Sequence, residues 1–294
     1  MTKVYVALCT LSLIGFSACT KKDPLIGEPH RTGHLSPRWA STVKQPRNVV
    51  LEYFQGVRTP YSASADQIVE ELEGRYGDRV LPIAIHAGTF AAPLSGWANF
   101  TCRYGAEILS QAEPSGFPFG TVNRSIFLGK GMNGNLSMAM SRQDWESTFS
   151  GLHRDTSYVN IGGEAIIDLS QEKMSVTVEL YYTDNNYFDN YINIALLQDG
   201  LKALLTGQNT GYVHNHVLRD LLTGQWGVEV PADTMRKGNV YRQTFHYPIP
   251  RNYNGALIPP GGGPTVYEDL DLVVFVSRKQ TNIITGIRLP IRIE

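Results

Sequence analysis

Read only for apolar and polar positions, the chain changes rhythm near His153. Before that point, short apolar runs alternate with stretches whose apolar residues recur at helical spacing. VVLEYF at 49–54 predicts a buried strand, and Ile68, Val69 and Leu72 place a stripe on a helix over about 62–75. A strand at 80–85, a helix over about 99–111, a strand at 121–128 and a helix near 142–152 follow. In the last of these, Trp145, Phe149 and Leu152 repeat behind Ser141-x-x-Asp144, the spacing of a capping box. Alternating strands and helices predict an α/β domain with right-handed crossovers.

After His153 the period shortens to two. MSVTVEL alternates over its whole length, and YVNIGGEAIIDL, YINIALLQD, VYRQTFHYPI, DLDLVVFVSR and NIITGIRLPIRI are strand-like runs divided by Asp, Asn, Gly and Pro. HNHVLRDLLTG interrupts them and reads as a short helical insertion. The expected fold is α/β plus all-β, with an α/β domain over 48–155 followed by an antiparallel β-sandwich over 156–294. No repeat relates the two halves.

The first residues follow neither rhythm. MTKVYVALCTLSLIGFSAC carries Lys3, an apolar stretch from Val4 to Phe16, and the small pair Ser17-Ala18 before Cys19. That is a secretory signal over 1–18, too short for a stable transmembrane helix. A cysteine directly after the small pair resembles the bacterial lipobox, with Phe16 replacing the usual aliphatic residue. It predicts lipid attachment at Cys19 and a polar tether over 19–47. With Cys19 acylated and Cys9 removed, Cys102 is the remaining thiol, so the exported chain folds without an intramolecular disulfide. The 26 basic and 27 acidic residues give a net charge of -1 with no basic concentration, which argues against a nucleic-acid partner.

The loop after the first strand is where an α/β unit presents chemistry, because the next helix points its N-terminus there. Here it reads Thr59-Pro60-Tyr61-Ser62. The stretch from VVLEYFQG to YGDRVLPIAIHAG, carrying Glu52, Phe54, Gly56, Tyr76, Gly77, Asp78, His86, Ala87 and Gly88, resembles the twenty-eight-kilodalton outer-membrane-protein family, thioredoxin-like lipoproteins of Gram-negative bacteria. SGFPFGTVNR, with Pro118, is similar to that family's cis-proline loop, and YVHNHVLRDLLTGQWG to its second-domain motif. The resemblance implies a thioredoxin-like N-terminal domain and an outer-membrane location on the periplasmic or cell-surface face. It departs at the Cys-x-x-Cys pair, where Thr59 and Ser62 stand, and at the following proline, where Ala63 stands. Hydroxyls cannot replace thiolates in disulfide exchange, so no thiol-disulfide oxidoreductase activity is expected.

Two function classes follow. The first is a non-enzymatic binding or assembly module that holds a protein or peptide partner along Thr59, Tyr61, Ser62, Phe117 and Pro118, with no cofactor. The second is an enzyme: a hydrolase using Ser62 activated by His86, or a metal-dependent one using His214 and His216, which an extended strand would place on one face. The simpler readings are Ser62 as a helix cap and the histidines as a packed polar network. Cys102, inside a predicted helix, reads as an inert buried thiol rather than a redox group. Tyr181, Tyr182, Tyr187 and Tyr191 form a possible contact surface, although strand composition alone favours tyrosine. PPGGGPT at 259–265 lacks the lysine of a phosphate loop and reads as a connection.

Overall fold

The computed structural model describes residues 38–93, 99–208, 211–250 and 267–294. The signal segment, Cys19 and PPGGGPT lie outside them. The first part runs β1 (Val49–Gln55), α1 (Ser62–Tyr76), β2 (Val80–His86), α2 (Gly105–Ala112), β3 (Phe119–Val122), β4 (Met140–Ser141) and α3 (Trp145–Leu152). Strands β1 and β2 are parallel, from Val49 opposite Val80 to Gln55 opposite His86, and β3 runs antiparallel to both β1 and β4. Alternate residues of β1 serve two cores. Val49, Leu51 and Tyr53 pack against Val69 and Leu72 of α1 and Trp145 and Phe149 of α3, whereas Val50 and Phe54 pack against Ile108 and Ala112 of α2. A strand covered on both faces has no polar side to show, which is why VVLEYF reads as one apolar run. Gly120 on β3 completes the fit, since a Cβ there would come within 2.9 Å of the Trp145 ring.

The second part runs β5 (Val159–Asp168), β6 (Lys173–Tyr182), β7 (Tyr191–Gln198), β8 (Leu201–Ala203), β9 (Tyr212–His214), β10 (Val217–Leu221), β11 (Val228–Glu229), β12 (Val240–Pro248), β13 (Leu270–Arg278), β14 (Thr281–Leu289) and β15 (Ile291–Ile293). Two sheets face one another. The order β12-β6-β5-β15 forms one, and Met174, Val176, Val178 and Leu180 of β6 meet Ile192, Ile194 and Leu196 of β7 and Leu272, Val274 and Val276 of β13 across an apolar core. The β15–β5 pairing is parallel, so the sandwich is mixed at that edge. Among the described residues, strand well exceeds helix.

The other sheet does not stop at the change of rhythm. Its order is β14-β13-β7-β10-β2-β1-β3-β4, so β10 joins strands from both parts: it is antiparallel to β7 and pairs parallel with β2 at Val217 and Ala84. This corrects the helical reading of HNHVLRDLLTG. Val217, Leu218, Leu221 and Leu222 fit a helical stripe, but β10 is buried on both faces between two strands, and that arrangement also produces a nearly continuous apolar run.

Smaller differences have local causes. The predicted strand at 121–128 ends at Val122 because Asn123 and Arg124 turn to positive φ (52° and 45°), with the Asn123 side chain accepting the Val50 N–H at 2.9 Å. The second helix opens at Gly105 rather than 99, after Asn99 bonds the Thr101 N–H at 2.9 Å in a turn. The capping box does not form: the Ser141 hydroxyl bonds Gln143, and no side chain caps α3. Residues 38–47 of the expected tether are docked. Arg38 and Gly163 exchange two backbone hydrogen bonds, at 3.0 and 2.7 Å, and the Arg47 N–H donates to Asp155 at 2.8 Å. Gly162 admits this close approach, since a Cβ there would sit 2.2 Å from the Ala40 nitrogen.

Candidate functional site

Beyond β1 the chain passes through Gly56 to Ser62 beneath a strap formed by Thr89–Pro93. A Cβ on Gly56 would lie 2.2 Å from the Phe90 carbonyl, so glycine is needed for the contact. The strap is fastened by Arg58, whose N–H donates to Phe90 O at 3.0 Å and whose guanidinium donates to Ala92 O and Pro93 O at 2.8 and 2.9 Å. Thr59 and Ser62 are buried, and Tyr61 is 58% exposed. The Phe117–Pro118 peptide is cis. Phe117 lies edge-on to Phe90 and Phe119, at centroid distances of 5.7 and 5.4 Å. Among the described residues, neither backbone polar group of Phe117 has a hydrogen-bond partner. Thr59, Tyr61, Ser62, Phe117 and Pro118 thus border the same end of the sheet, with Phe90 and Arg58 as additions. Nothing in the spacing of Arg58 or Phe90 announced them; only the required Gly56 hinted at a backbone crossing overhead.

The Ser62–His86 pairing is not made. The Ser62 hydroxyl donates to Gly56 O at 2.9 Å and accepts the Gly56 N–H at 3.3 Å, which also removes it from capping α1. His86 makes no hydrogen bond to it among the described residues, its ring lying against Phe100 at 5.2 Å and His214 at 5.7 Å between centroids. Its strand places it in an apolar setting, and burial, helped by His214 and Arg219, holds its imidazole well below the ordinary value. Burial likewise lowers His214 to about 4. Both rings are therefore neutral bases at neutral pH.

His214 and His216 part company. His216 adopts positive φ (56°), which ends the extended run at β9 and turns its side chain toward α1. There its Nε2 bonds Glu73 at 3.1 Å and its Nδ1 stands 3.6 Å from Asp199. Arg288 completes the cluster at 3.2 Å from Glu73 and 3.0 Å from Asp271. Burial alone would lower the His216 pKa, but the Glu73 charge and hydrogen bond and the Asp199 charge outweigh it and raise it to about 9. Glu73 responds in the opposite sense: burial pushes it up, and His216 and Arg288 bring it below its ordinary value. The network ties α1 to β13 and β14, and neither Glu73 nor Arg288 was marked by a motif.

The remaining candidates resolve individually. Cys102 is buried, which pushes its thiol up to about 11, far from the thiolate a redox group requires. Tyr182 is buried and donates to Asn190 at 3.1 Å, whereas Tyr187 and Phe188 are exposed beneath Arg236 and Arg278. Among the described residues, no three His, Cys, Asp or Glu side chains gather as a metal cluster, and no helix is long and apolar enough to cross a membrane. Glu52, one of the residues that carried the resemblance, accepts from Arg124 at 2.9 and 2.5 Å and from Thr121 at 3.2 Å inside the core.

Residues 107–260, just over half of the chain, match the model of a family described as outer membrane protein Omp28. This chain belongs to the Omp28 family. The match takes in the Phe117–Pro118 loop, strands β5 to β12 and the His214–His216 segment, and membership makes it an outer-membrane protein. Among solved structures, HBP35 of Porphyromonas gingivalis is similar at 17% identity, with a TM-score of 0.61 over 83% of this chain and 74% of that one. Protein AGR_C_4864 of Agrobacterium tumefaciens aligns at 10% identity and a TM-score of 0.49, over 84% of this chain and 96% of that one. No curated protein matches the chain. At these identities the structural likeness concerns fold, so within the Omp28 family the role of this chain rests on its own side chains.

Proposed function

We propose that the chain is an outer-membrane lipoprotein, anchored through Cys19, that holds an extended protein segment without catalysing a reaction on it. Residues 48–155 are its thioredoxin-like frame, with the sheet order β2-β1-β3-β4 and the cis Phe117–Pro118 peptide in support of that reading. The observation that carries the proposal is the unpartnered backbone of Phe117 beside an aromatic cluster. An incoming strand would bond that N–H and C=O while its side chains meet Phe117, Phe90 and the exposed Tyr61. The buried hydroxyls of Thr59 and Ser62 hold the loop in shape and present no nucleophile. A hydrolase reading is left without an activated serine, since Ser62 is engaged with Gly56.

In-cell photo-cross-linking from position 61 tests the binding role. A discrete adduct is expected, and Phe117→Ala should abolish it while leaving the amount of protein unchanged. An adduct that persists undiminished in Phe117→Ala overturns the assignment of the site. Cys19→Ala should release the protein from the outer-membrane fraction and prevent incorporation of a radiolabelled fatty acid; unchanged labelling overturns the anchor.

A further inference from the structure

One end of the sandwich leaves a group of apolar side chains in water. Tyr187, 77% exposed, and Phe188 project from the loop between β6 and β7, Val43 is 68% exposed on the docked segment, and the exposed Val240 opens β12. These lie in one region, because Lys44 pairs with Asp184, the Tyr182 N–H donates to Asn239 O at 3.1 Å, and Val240 stands opposite Tyr181 in the sheet. Trp39, also exposed, extends the region onto the outer face of β12, where the Arg242 guanidinium lies 4.2 Å from its ring centre. The outward pose of the two aromatics is built into the loop. The buried Asn186 donates to Phe188 O at 2.6 Å and accepts the Phe188 N–H at 3.3 Å, and the buried Asn190 accepts from Tyr182 at 3.1 Å. Arg236 and Arg278 stack on Tyr187 and Phe188, at 5.3 and 4.0 Å from the ring centres. Single exposed apolar residues need no explanation, but a group held outward on a braced loop marks a contact surface.

We propose that this end of the sandwich rests on the lipid headgroup layer of the outer membrane, as a second attachment beside the lipid anchor; the Cys19 reading above supplies the first. The chain itself favours a membrane over other occupants. Trp39 and Val43 of the surface belong to the docked segment, and Arg38, where that segment begins, follows Cys19 by nineteen residues, a covalent reach of at most about 65 Å. The surface is thus formed by the stretch of chain that leads back to the anchor. Charge points the same way. Asp155, Asp184 and Asp189 pair with Arg47, Lys44 and Lys279. Among the described residues, Arg38, Arg236, Lys237 and Arg278 have no carboxylate partner, and Asp233 and Glu229 offset only part of their charge, so a positive excess faces the anionic phospholipids. Aromatic rings at the headgroup boundary, with arginine and lysine reaching the phosphates, are what an interfacial contact requires. The surface is distinct from the Phe117 edge and does not depend on peptide binding there.

The test places a nitrobenzoxadiazole fluorophore on Val240→Cys or, as a control, on Leu169→Cys, in the full-length chain reconstituted into vesicles of phosphatidylethanolamine and phosphatidylglycerol that carry a nitroxide phospholipid. Leu169 is exposed at the far end of the β5–β6 hairpin, about 30 Å along β5 from Val159. The label at 240 should be quenched about threefold or more over the label at 169, and Tyr187→Ser with Phe188→Ser should bring it down to the control. Every replaced side chain is exposed, and circular dichroism checks the fold. Equal quenching at 240 and 169 overturns the proposal, as does quenching undiminished in the double variant. A label at 240 that is shielded from aqueous iodide yet untouched by the lipid nitroxide gives the surface to a protein, a second copy included, and also overturns it. Fatty-acid incorporation reports the anchor separately: incorporation without quenching at 240 overturns the surface alone, and quenching without incorporation overturns the anchor alone.

Discussion

His216 makes stability depend on alkaline pH in a way that can be measured. Its pKa rises from an ordinary 6.5 to about 9 on folding because Glu73 and Asp199 face it. A base whose pKa is raised in the folded state contributes its full stabilisation below the unfolded value, near 6.5, and loses it as the pH climbs through about 9. At 1.36 kcal/mol per unit, the difference across that window is about 3 kcal/mol. The group is well shielded, with the His216 side chain 12% exposed and Glu73 26%, so bulk screening removes only part of it. The facing charges come from several elements: Glu73 from α1, Asp199 after β7, and Arg288 from β14, which opposes the protonation. Urea unfolding at pH 6.5, 8 and 9.5 measures the effect. Wild type should lose about 3 kcal/mol more than His216→Gln across the series, with the loss steepest midway between the two pKa values and fading above about pH 9. Equal pH slopes for the two proteins would refute the reasoning, and a loss confined below pH 6 would assign it to other groups.

Two further perturbations probe the frame. Arg124→Ala leaves the Glu52 carboxylate charged and unpaired in the core and should cost about 3–5 kcal/mol in urea unfolding, whereas the joint replacement Glu52→Leu with Arg124→Met should recover most of that; a single-variant loss below about 1 kcal/mol would contradict the buried pairing. Gly56→Ala should displace the strap, costing about 1–3 kcal/mol and exposing Thr89–Pro93 to limited proteolysis, and a variant cleaved no faster than wild type would show that the crossing yields without strain.

The parts of the fold that were legible in the sequence are those where one physical signal dominates. The Ile68, Val69 and Leu72 stripe defines α1 because one face of that helix is solvated, and MSVTVEL defines β6 for the analogous reason in a sheet. β10 was misread where that contrast vanishes: with both faces covered, apolar positions carry no period, and even Arg219 and Asp220 are buried. The loop from Thr59 to Ser62 and the Phe117–Pro118 turn were found by resemblance. The pairing of His86 with His214 was not, because β2 and β9 are far apart in sequence and meet only through the β10 connection. His214 and His216 were wrongly joined because a single positive φ at His216 reverses the alternation that a strand would impose.

The docked segment at 38–47 also determines how the molecule carries force. A pull applied from the N-terminal side of the segment enters at Arg38, where it meets two backbone bonds to Gly163, and next at Arg47, bonded to Asp155. Both attachment points precede Val49 along the chain and lie outside the β1–β2–β3 pairing. Tension is therefore taken up first by β5 and then, through the bonds of Arg47 and Asn48 to Ile283, Thr285 and Gly286, by β14, before it reaches the strand that leads into the Thr59–Ser62 loop. A load on this segment is thus divided between both sheets before it reaches the loop beside the Phe117 edge.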